Sequence, residues 1–160
     1  MDQYKEVIKQ IEESDLEYSF KQARSEDIQY LNSLKLTPGL IEFYKSFEPI
    51  DHNDMGPVRF LDIESIKEEN TEYIPGYQIS PKGFIVFATT GCGNAICFNL
   101  NKTKNGEPTI AHISHEENYE DWSLEKIVDE DYNETICESF YEFLCYFRDY
   151  NIKKLDMEIV

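Results

Sequence analysis

The chain has 160 residues, a length that fits one domain and is enough to bury a hydrophobic core. Hydrophobic residues make up 41% of it and aromatic residues 14%, which indicates a folded chain rather than a disordered one. Its 15 basic and 32 acidic side chains give a formal net charge of −17, so phosphate backbones and anionic membrane surfaces repel it. Composition therefore disfavours nucleic acids and membranes as partners and favours a basic macromolecule.

The N-terminal region shows no pattern of a secretory signal. Charges occur at almost every turn of residues 1–22, and no apolar run approaches the roughly 18 residues that a membrane span needs. Without an export signal, Cys92, Cys97, Cys137 and Cys145 are most simply reduced thiols in a cytosol. We therefore expect a cytoplasmic protein.

Three helices are predicted at the start of the chain. The apolar positions of residues 4–11 follow the helical period, with charged residues on the other face. A second helix is indicated from Ser25, where acids follow at once and the apolar residues of 28–34 form a stripe. Thr37 as N-cap and Pro38 at the first helical position, where its missing N–H costs nothing, indicate a third.

The middle of the chain changes to the period of β-strands. Residues 58–63 alternate as a strand, and residues 63–70 indicate a short helix or turn. Residues 84–88 form a continuous apolar run, and further strands are predicted at 95–100 and 109–113. Turns rich in Gly and Asn join these segments, so the sequence predicts an antiparallel meander.

The last predicted helix is strongly amphipathic. Its apolar positions, at helical spacing, are Ile136, Phe140, Phe143, Leu144 and Phe147. Helices followed by a sheet and a closing helix predict an α+β fold, with the C-terminal helix packed on the central sheet. We find no linker and no internal repeat, so we expect a single domain over residues 1–160.

Cys92 and Cys97, followed by His112 and His115, suggest a zinc hypothesis. The gaps of four, fourteen and two residues depart from the two-Cys two-His pattern, which has about two to four, twelve, and three to five. In a continuous strand Cys92 and Cys97 would also point to opposite faces. Buried cysteines without a ligand are the better interpretation, and we expect neither a metal nor another cofactor.

No pattern of catalytic residues is present. A cysteine nucleophile with His112 or His115 as its base needs a proximity in space that the sequence does not show. The stretch Gly91–Gly93 is not a dinucleotide loop, because Ile96 stands in place of the third glycine and a strand follows. With 32 acids in the chain some carboxylates always lie close together, so such pairs carry no information. We therefore expect no enzyme.

The strongest feature of the sequence is a run of acids. Residues 112–145 hold eleven acids and one base, Lys126, and the only tryptophan, Trp122, lies inside this run. Such a run is commonly a solvated face, but an aromatic residue among carboxylates is also the composition of a hot spot for a basic partner. Trp122 could equally anchor the segment to the core. The candidate partner-binding residues are Glu116, Glu117, Glu120, Asp121, Trp122, Asp129, Glu130 and Asp131. The loop at residues 51–54 is a second candidate.

Four stretches of the chain carry a family resemblance. They are residues 25–45 with Leu-Thr-Pro at their centre, residues 58–66, residues 84–100 with the Gly-Cys-Gly-Asn turn, and residues 139–144 with Ser-Phe-x-x-Phe-Leu. In this order and spacing they resemble the SMI1/KNR4 superfamily, also called SUKH. The hairpin is the most specific of the four, although Asn94 stands where the family usually has an acid.

This resemblance implies a role in binding proteins rather than in catalysis. Many bacterial members are immunity proteins that neutralise a toxin, often a nuclease or another effector directed at nucleic acids. Fungal relatives act as regulators or scaffolds in cell-wall signalling. Because nuclease toxins are often basic, the charge of this chain agrees with the first role. We therefore expect an immunity protein with a basic cognate toxin as partner, and a regulatory scaffold is the alternative.

Overall fold

A computed structural model describes residues 1–14, 18–50 and 58–149 of the chain. The elements in chain order are α1 (Asp2–Glu12), β1 (Phe20–Lys21), α2 (Ser25–Ser33), α3 (Pro38–Ser46), β2 (Glu48–Pro49), β3 (Val58–Phe60), α4 (Ile63–Thr71), α5 (Gly76–Ile79), a 3₁₀ turn (Ser80–Lys82), β4 (Phe84–Thr90), β5 (Ala95–Lys104), β6 (Glu107–Ile113), α6 (Leu124–Ile127), β7 (Glu134–Cys137) and α7 (Phe140–Arg148). The fold is α+β, as predicted. Across the described residues, no helix combines the length and the apolar character needed to cross a bilayer.

The centre of the fold is a five-stranded antiparallel sheet in the order β3-β4-β5-β6-β7. Strands that follow one another in the chain are neighbours in the sheet, which confirms the predicted meander. Phe98 lies opposite Ile85 on one side and Ile110 on the other. Because directly opposite residues share a face, these three side chains form part of one apolar face.

Aromatic rings fill the space between this face and α7. The ring centroid of Phe140 lies 5.3 Å from that of Phe98 and 4.8 Å from that of Phe43 in α3. Phe87 stacks on Phe98 with centroids 4.2 Å apart and meets Phe143 at 5.0 Å. The closing helix therefore packs on the sheet, as the sequence predicts, and the contacts are largely aromatic.

Asn70 of α4 continues the hydrogen bonding of the sheet where β3 ends. The pairing of β3 with β4 runs as far as Phe60 opposite Ala88. Further along β4, the Asn70 amide donates from Nδ2 to the Val86 carbonyl at 2.8 Å, and the Val86 N–H donates to Asn70 Oδ1 at 2.9 Å. Asn70 is 4% exposed and supplies both bonds that a strand would have made.

β3 is shorter than predicted. The alternating pattern extends to residue 63, but the strand ends at Phe60. The Asp62 side chain accepts a hydrogen bond from the Ser65 N–H at 2.8 Å, so Asp62 caps α4 and the helix begins at Ile63. The N-cap at Asp62 therefore starts a helix, although the apolar alternation typical of a strand continues in the sequence.

The prediction is wrong at Ile136, which lies in β7 rather than in the last helix. Ser139 separates the two elements, because its Oγ accepts from the Glu142 N–H at 3.1 Å and caps α7. β7 exists through its pairing with β6, in which Cys137 lies opposite Ile110. A partner so distant in sequence leaves no periodic signal in a strand of four residues.

We expect Asn70→Ala to lower the free energy of unfolding by about 2–4 kcal/mol. The substitution leaves the buried N–H and C=O of Val86 without partners, and each such group costs about 1–3 kcal/mol. Urea denaturation followed by circular dichroism measures the loss. The control is Thr71→Ala at the exposed end of the same helix, where a change within about 0.5 kcal/mol is expected. Equal losses in both variants would contradict the role of the Asn70 amide.

Candidate functional site

The acidic segment, residues 116–131, is fixed to the body of the protein through Tyr119. This side chain is 1% exposed, and its hydroxyl donates to the Ser114 carbonyl at 2.9 Å. Its N–H donates to Gln78 Oε1 at 3.0 Å, and its carbonyl accepts from the Lys82 ammonium. Because Gln78 belongs to α5 and Lys82 to the following 3₁₀ turn, the first half of the segment lies against these elements.

Asn133 holds the other end of the acidic segment. It is 4% exposed, and its Nδ2 donates to the carbonyls of Ile127 at 2.6 Å and Asp129 at 3.0 Å. Between the two ends, Ser123 Oγ accepts from the Lys126 N–H at 3.2 Å and caps α6. The segment is therefore held mainly by neutral hydrogen bonds together with the Lys82 ammonium, and most of its carboxylates are left to face solvent.

The structure places the predicted acids on the surface. Those acids, all exposed, are Glu116, Glu117, Glu120, Asp121, Asp129, Glu130 and Asp131. Within the described residues, Glu130 is the one among them that forms an ion pair, with Lys102 of β5. Carboxylates that lie together without counter-charges create a negative potential that attracts cations. The second candidate, residues 51–54, lies outside the described part of the chain.

Trp122 is half-buried at the edge of the hydrophobic core. Its ring meets Tyr119 with centroids 4.8 Å apart and Tyr132 with centroids 4.9 Å apart, both edge to face. The Lys126 ammonium lies 3.8 Å from the centroid of the Trp122 ring. Trp122 thus packs on Tyr119, which agrees with the alternative that it anchors the segment to the core. Its role in binding a partner stays a prediction.

An apolar patch that sequence reasoning misses lies beside the acidic segment. Tyr73, Ile74 and Tyr77, here called the 73–77 patch, are 52%, 56% and 39% exposed. Gln78 connects the patch to the segment, because its Nε2 donates to Asn118 Oδ1 at 3.0 Å and to the Tyr77 hydroxyl at 3.4 Å. Aromatic residues in solvent beside charged residues are the composition of a protein-binding surface.

Gly76 sets the position of the 73–77 patch. A Cβ added at Gly76 would lie 1.8 Å from the carbonyl oxygen of Glu69 in α4, so no side chain fits there. The close approach of the two backbones turns the chain directly after α4. The patch therefore projects from a turn whose path is set by main-chain packing, and the Pro75-Gly76 pair is the one signal of it in the sequence.

The structure separates the cysteines and histidines of the zinc hypothesis. Cys97 lies opposite Ala111 on one face of the sheet, whereas His112 lies opposite Ile96 and therefore on the other face. Cys92 is exposed in the hairpin turn. Within residues 1–14, 18–50 and 58–149, no group of three or more His, Cys, Asp or Glu side chains is placed to hold a metal ion.

His115 binds the hairpin turn rather than a thiol. Asn94 Oδ1 accepts from the His115 N–H at 3.0 Å and lies 2.7 Å from His115 Nδ1. Asn94 is 6% exposed, and its own N–H donates to Thr90 Oγ1 at 3.1 Å. Because the amide oxygen accepts only, we assign the proton of this contact to Nδ1. In the described part of the chain, neither His115 nor His112 forms a hydrogen bond with a cysteine.

We expect His112 to make stability depend on pH between about 4 and 6.5. Its side chain is 8% exposed, and burial lowers the pKa of His112 to about 4. An unfolded histidine titrates near 6.5, so the unfolded state binds more protons in this window and stability falls as the pH falls. The His112→Leu variant should lack this loss, which reaches about 3 kcal/mol at pH 4.

The measurement is urea denaturation of both proteins from pH 4 to 7.5. Each protein gives a curve of its free energy of unfolding against pH. The difference between the two curves reports the titration of His112, because the titration of the many carboxylates is common to both proteins. A wild-type curve that falls more steeply toward acid supports the assignment. Parallel curves would show that His112 has the same pKa in the folded and unfolded states.

The comparisons with known proteins agree with this architecture. The model of the SMI1 / KNR4 family (SUKH-1) matches residues 4–145. The matched span contains the whole sheet, the 73–77 patch and the acidic segment. Among curated proteins, none matches the chain significantly.

Proposed function

The chain belongs to the SMI1/KNR4 (SUKH-1) family, and we propose that it is a cytoplasmic immunity protein that neutralises a basic, nuclease-type toxin. The observation that carries this proposal is the exposed acidic segment, whose carboxylates are largely without counter-charges, beside the 73–77 patch. A toxin that binds phosphate presents a basic surface. An acidic inhibitor can occupy that surface and so exclude the nucleic acid.

The two parts of this surface make different contributions to binding. Carboxylates in solvent attract a basic partner over a distance and accelerate association, and salt weakens this effect. The aromatic and aliphatic side chains of the 73–77 patch lose water when a partner covers them, and such contacts slow dissociation. A patch bordered by charges has the arrangement of a protein interface, with an apolar centre and a polar rim.

Inhibition by occupancy requires no catalytic group in this chain. The side chains that the surface uses are carboxylates, aromatic rings and one aliphatic residue. Cys97, the most deeply buried thiol, is unsuited to nucleophilic attack because burial raises its pKa. We therefore propose a binding protein and not an enzyme.

Charge reversal in the acidic segment tests the electrostatic contribution to the proposed binding. We expect a variant with lysine at Glu116, Glu117, Glu120 and Asp121 to associate with the toxin about ten- to a hundredfold more slowly at low salt. Its melting temperature should stay nearly unchanged, because these side chains are exposed. Stopped-flow association at several salt concentrations and calorimetry measure the two quantities.

The matched control carries lysine at Glu6, Glu13, Glu26 and Glu42, four exposed acids that lie in α1, α2 and α3 or directly after α1. Both variants change the net charge by the same amount. A smaller decrease of the association rate in the control shows that the position of the acids matters, and not only their number. Equal losses would mean that the acidic segment is not the interface.

Serine substitutions in the 73–77 patch test the apolar part. We expect Tyr73→Ser combined with Ile74→Ser to accelerate dissociation of the toxin by about thirtyfold, which corresponds to the roughly 2 kcal/mol of a hot spot. The association rate should change little, because no charge is altered. Surface plasmon resonance separates the two rates. A variant with unchanged dissociation would place the apolar centre of the interface elsewhere.

Co-expression with the product of the adjacent gene tests the function itself. Survival of cells that make a toxic neighbour, together with a complex that copurifies, supports the immunity role. A neighbour that is harmless or does not bind contradicts it and favours the regulatory scaffold, for which a pull-down from cell extract at low salt is the next experiment.

A further inference from the structure

Trp122 and Tyr132 form an open aromatic cage around a cation. Their ring centroids are 4.9 Å apart and their planes meet at 79°. The Lys126 ammonium lies 3.8 Å from the Trp122 centroid and 5.4 Å from the Tyr132 centroid. Both distances are within the roughly 6 Å over which a ring attracts a cation. Tyr119 also contacts Trp122, with a centroid distance of 4.8 Å, so the indole is held in place before any partner arrives.

The position of the Lys126 ammonium is informative because so many carboxylates are close in sequence. Lys126 is the one base among the eleven acids of residues 112–145. Among the described residues, however, its ammonium forms no ion pair with any of them. The cation lies on the rings instead. The cage therefore holds a cation even where carboxylates compete for it.

We propose that the cage is the pocket for an arginine side chain of the partner, and that Lys126 fills this pocket only in the free protein. This inference rests on the proposed function, since it requires a basic protein as partner. A planar guanidinium stacks on an indole and binds neighbouring carboxylates better than an ammonium does, so arginine can replace the lysine. The displaced Lys126 is exposed on α6 and stays among the acids of the segment.

Because Lys126 occupies the cage, an external cation has to displace it first. This cost reduces the affinity of the cage for every external cation. A weak or isolated cation does not replace Lys126, whereas an arginine delivered by a docked protein does, because its other contacts compensate for the exchange. The cage thereby selects partners that also engage the rest of the surface. Removal of the lysine charge should make the pocket open to any arginine.

Trp122 is the only tryptophan of the chain, so its fluorescence reports on the cage alone. The experiment titrates the full-length protein at low salt with a capped hexa-arginine peptide, and with a hexa-citrulline peptide of similar shape but no charge. We expect Lys126→Gln to bind the arginine peptide about five- to thirtyfold more tightly than the wild type, the range of a cation–π contact on a half-buried ring. Lys126→Arg keeps a cation in the cage and should bind the arginine peptide no more tightly than the wild type.

The control for net charge is Lys102→Gln. Lys102 forms an ion pair with Glu130 of the acidic segment but is not in contact with the cage rings. Its loss changes the charge by the same amount, and we expect a gain of only about twofold. Adding Tyr132→Leu to Lys126→Gln should cancel the gain and keep the fluorescent reporter. Equal gains for the two glutamine variants, or an unresponsive Trp122, would overturn the inference.

The outcomes also separate this inference from the proposed function. If the cage variants behave as expected with the peptide but no neighbouring toxin is neutralised, the arginine pocket stands and the immunity role fails. If a toxin is neutralised equally well by the wild type and by Tyr132→Leu, the immunity role stands and the cage is overturned as the recognition pocket.

Discussion

The contact of Phe140 in α7 with the sheet joins the helical part of the molecule to the sheet. Its ring lies within 4.8–5.6 Å of Phe43 in α3 and of Phe87 and Phe98 in the sheet. This aromatic layer has to offset the mutual repulsion of a chain with a net charge of −17. Each large ring removes about 150–250 Å² from water, so a few rings supply much of the burial that the fold requires. The other face of the sheet is buried as well, with Cys97 and Ala111 both 0% exposed, so charge is confined to the surface of the protein.

Uncharged side chains hold much of the acidic segment in place. Tyr119, Gln78 and Asn133 fix its backbone through hydrogen bonds that involve no carboxylate. Most of the acids can therefore change while the backbone path stays the same. Asp129 is the exception among them, because its Oδ1 accepts from the Asp131 N–H at 3.0 Å.

Local signals in the sequence predict the fold well, and contacts between distant residues explain the errors. The third helix begins where Thr37 and Pro38 predict, because proline geometry acts locally. The Thr37 hydroxyl does not cap the helix, however, and donates to Glu107 Oε2 at 2.7 Å. Ile136 fits a helical period but lies in β7, because pairing with β6 decides its conformation. The 73–77 patch is missed because aromatic residues are expected inside, and their exposure follows from the turn at Gly76. Trp122 lies before α6, so the approach of Lys126 to its ring is not a pair within one helix and becomes visible only once the path of residues 122–126 is known.

The position of β7 has a consequence for the association of the protein with other copies of itself. It is the outermost strand on its side of the sheet, and it has four residues. Glu134 in the strand and Glu138 just after it are both exposed. A short edge with carboxylates is a poor template for the strand of another chain, so this side of the sheet disfavours edge-to-edge pairing with a neighbouring copy. A rise in concentration therefore does not by itself drive this strand into pairing with another chain.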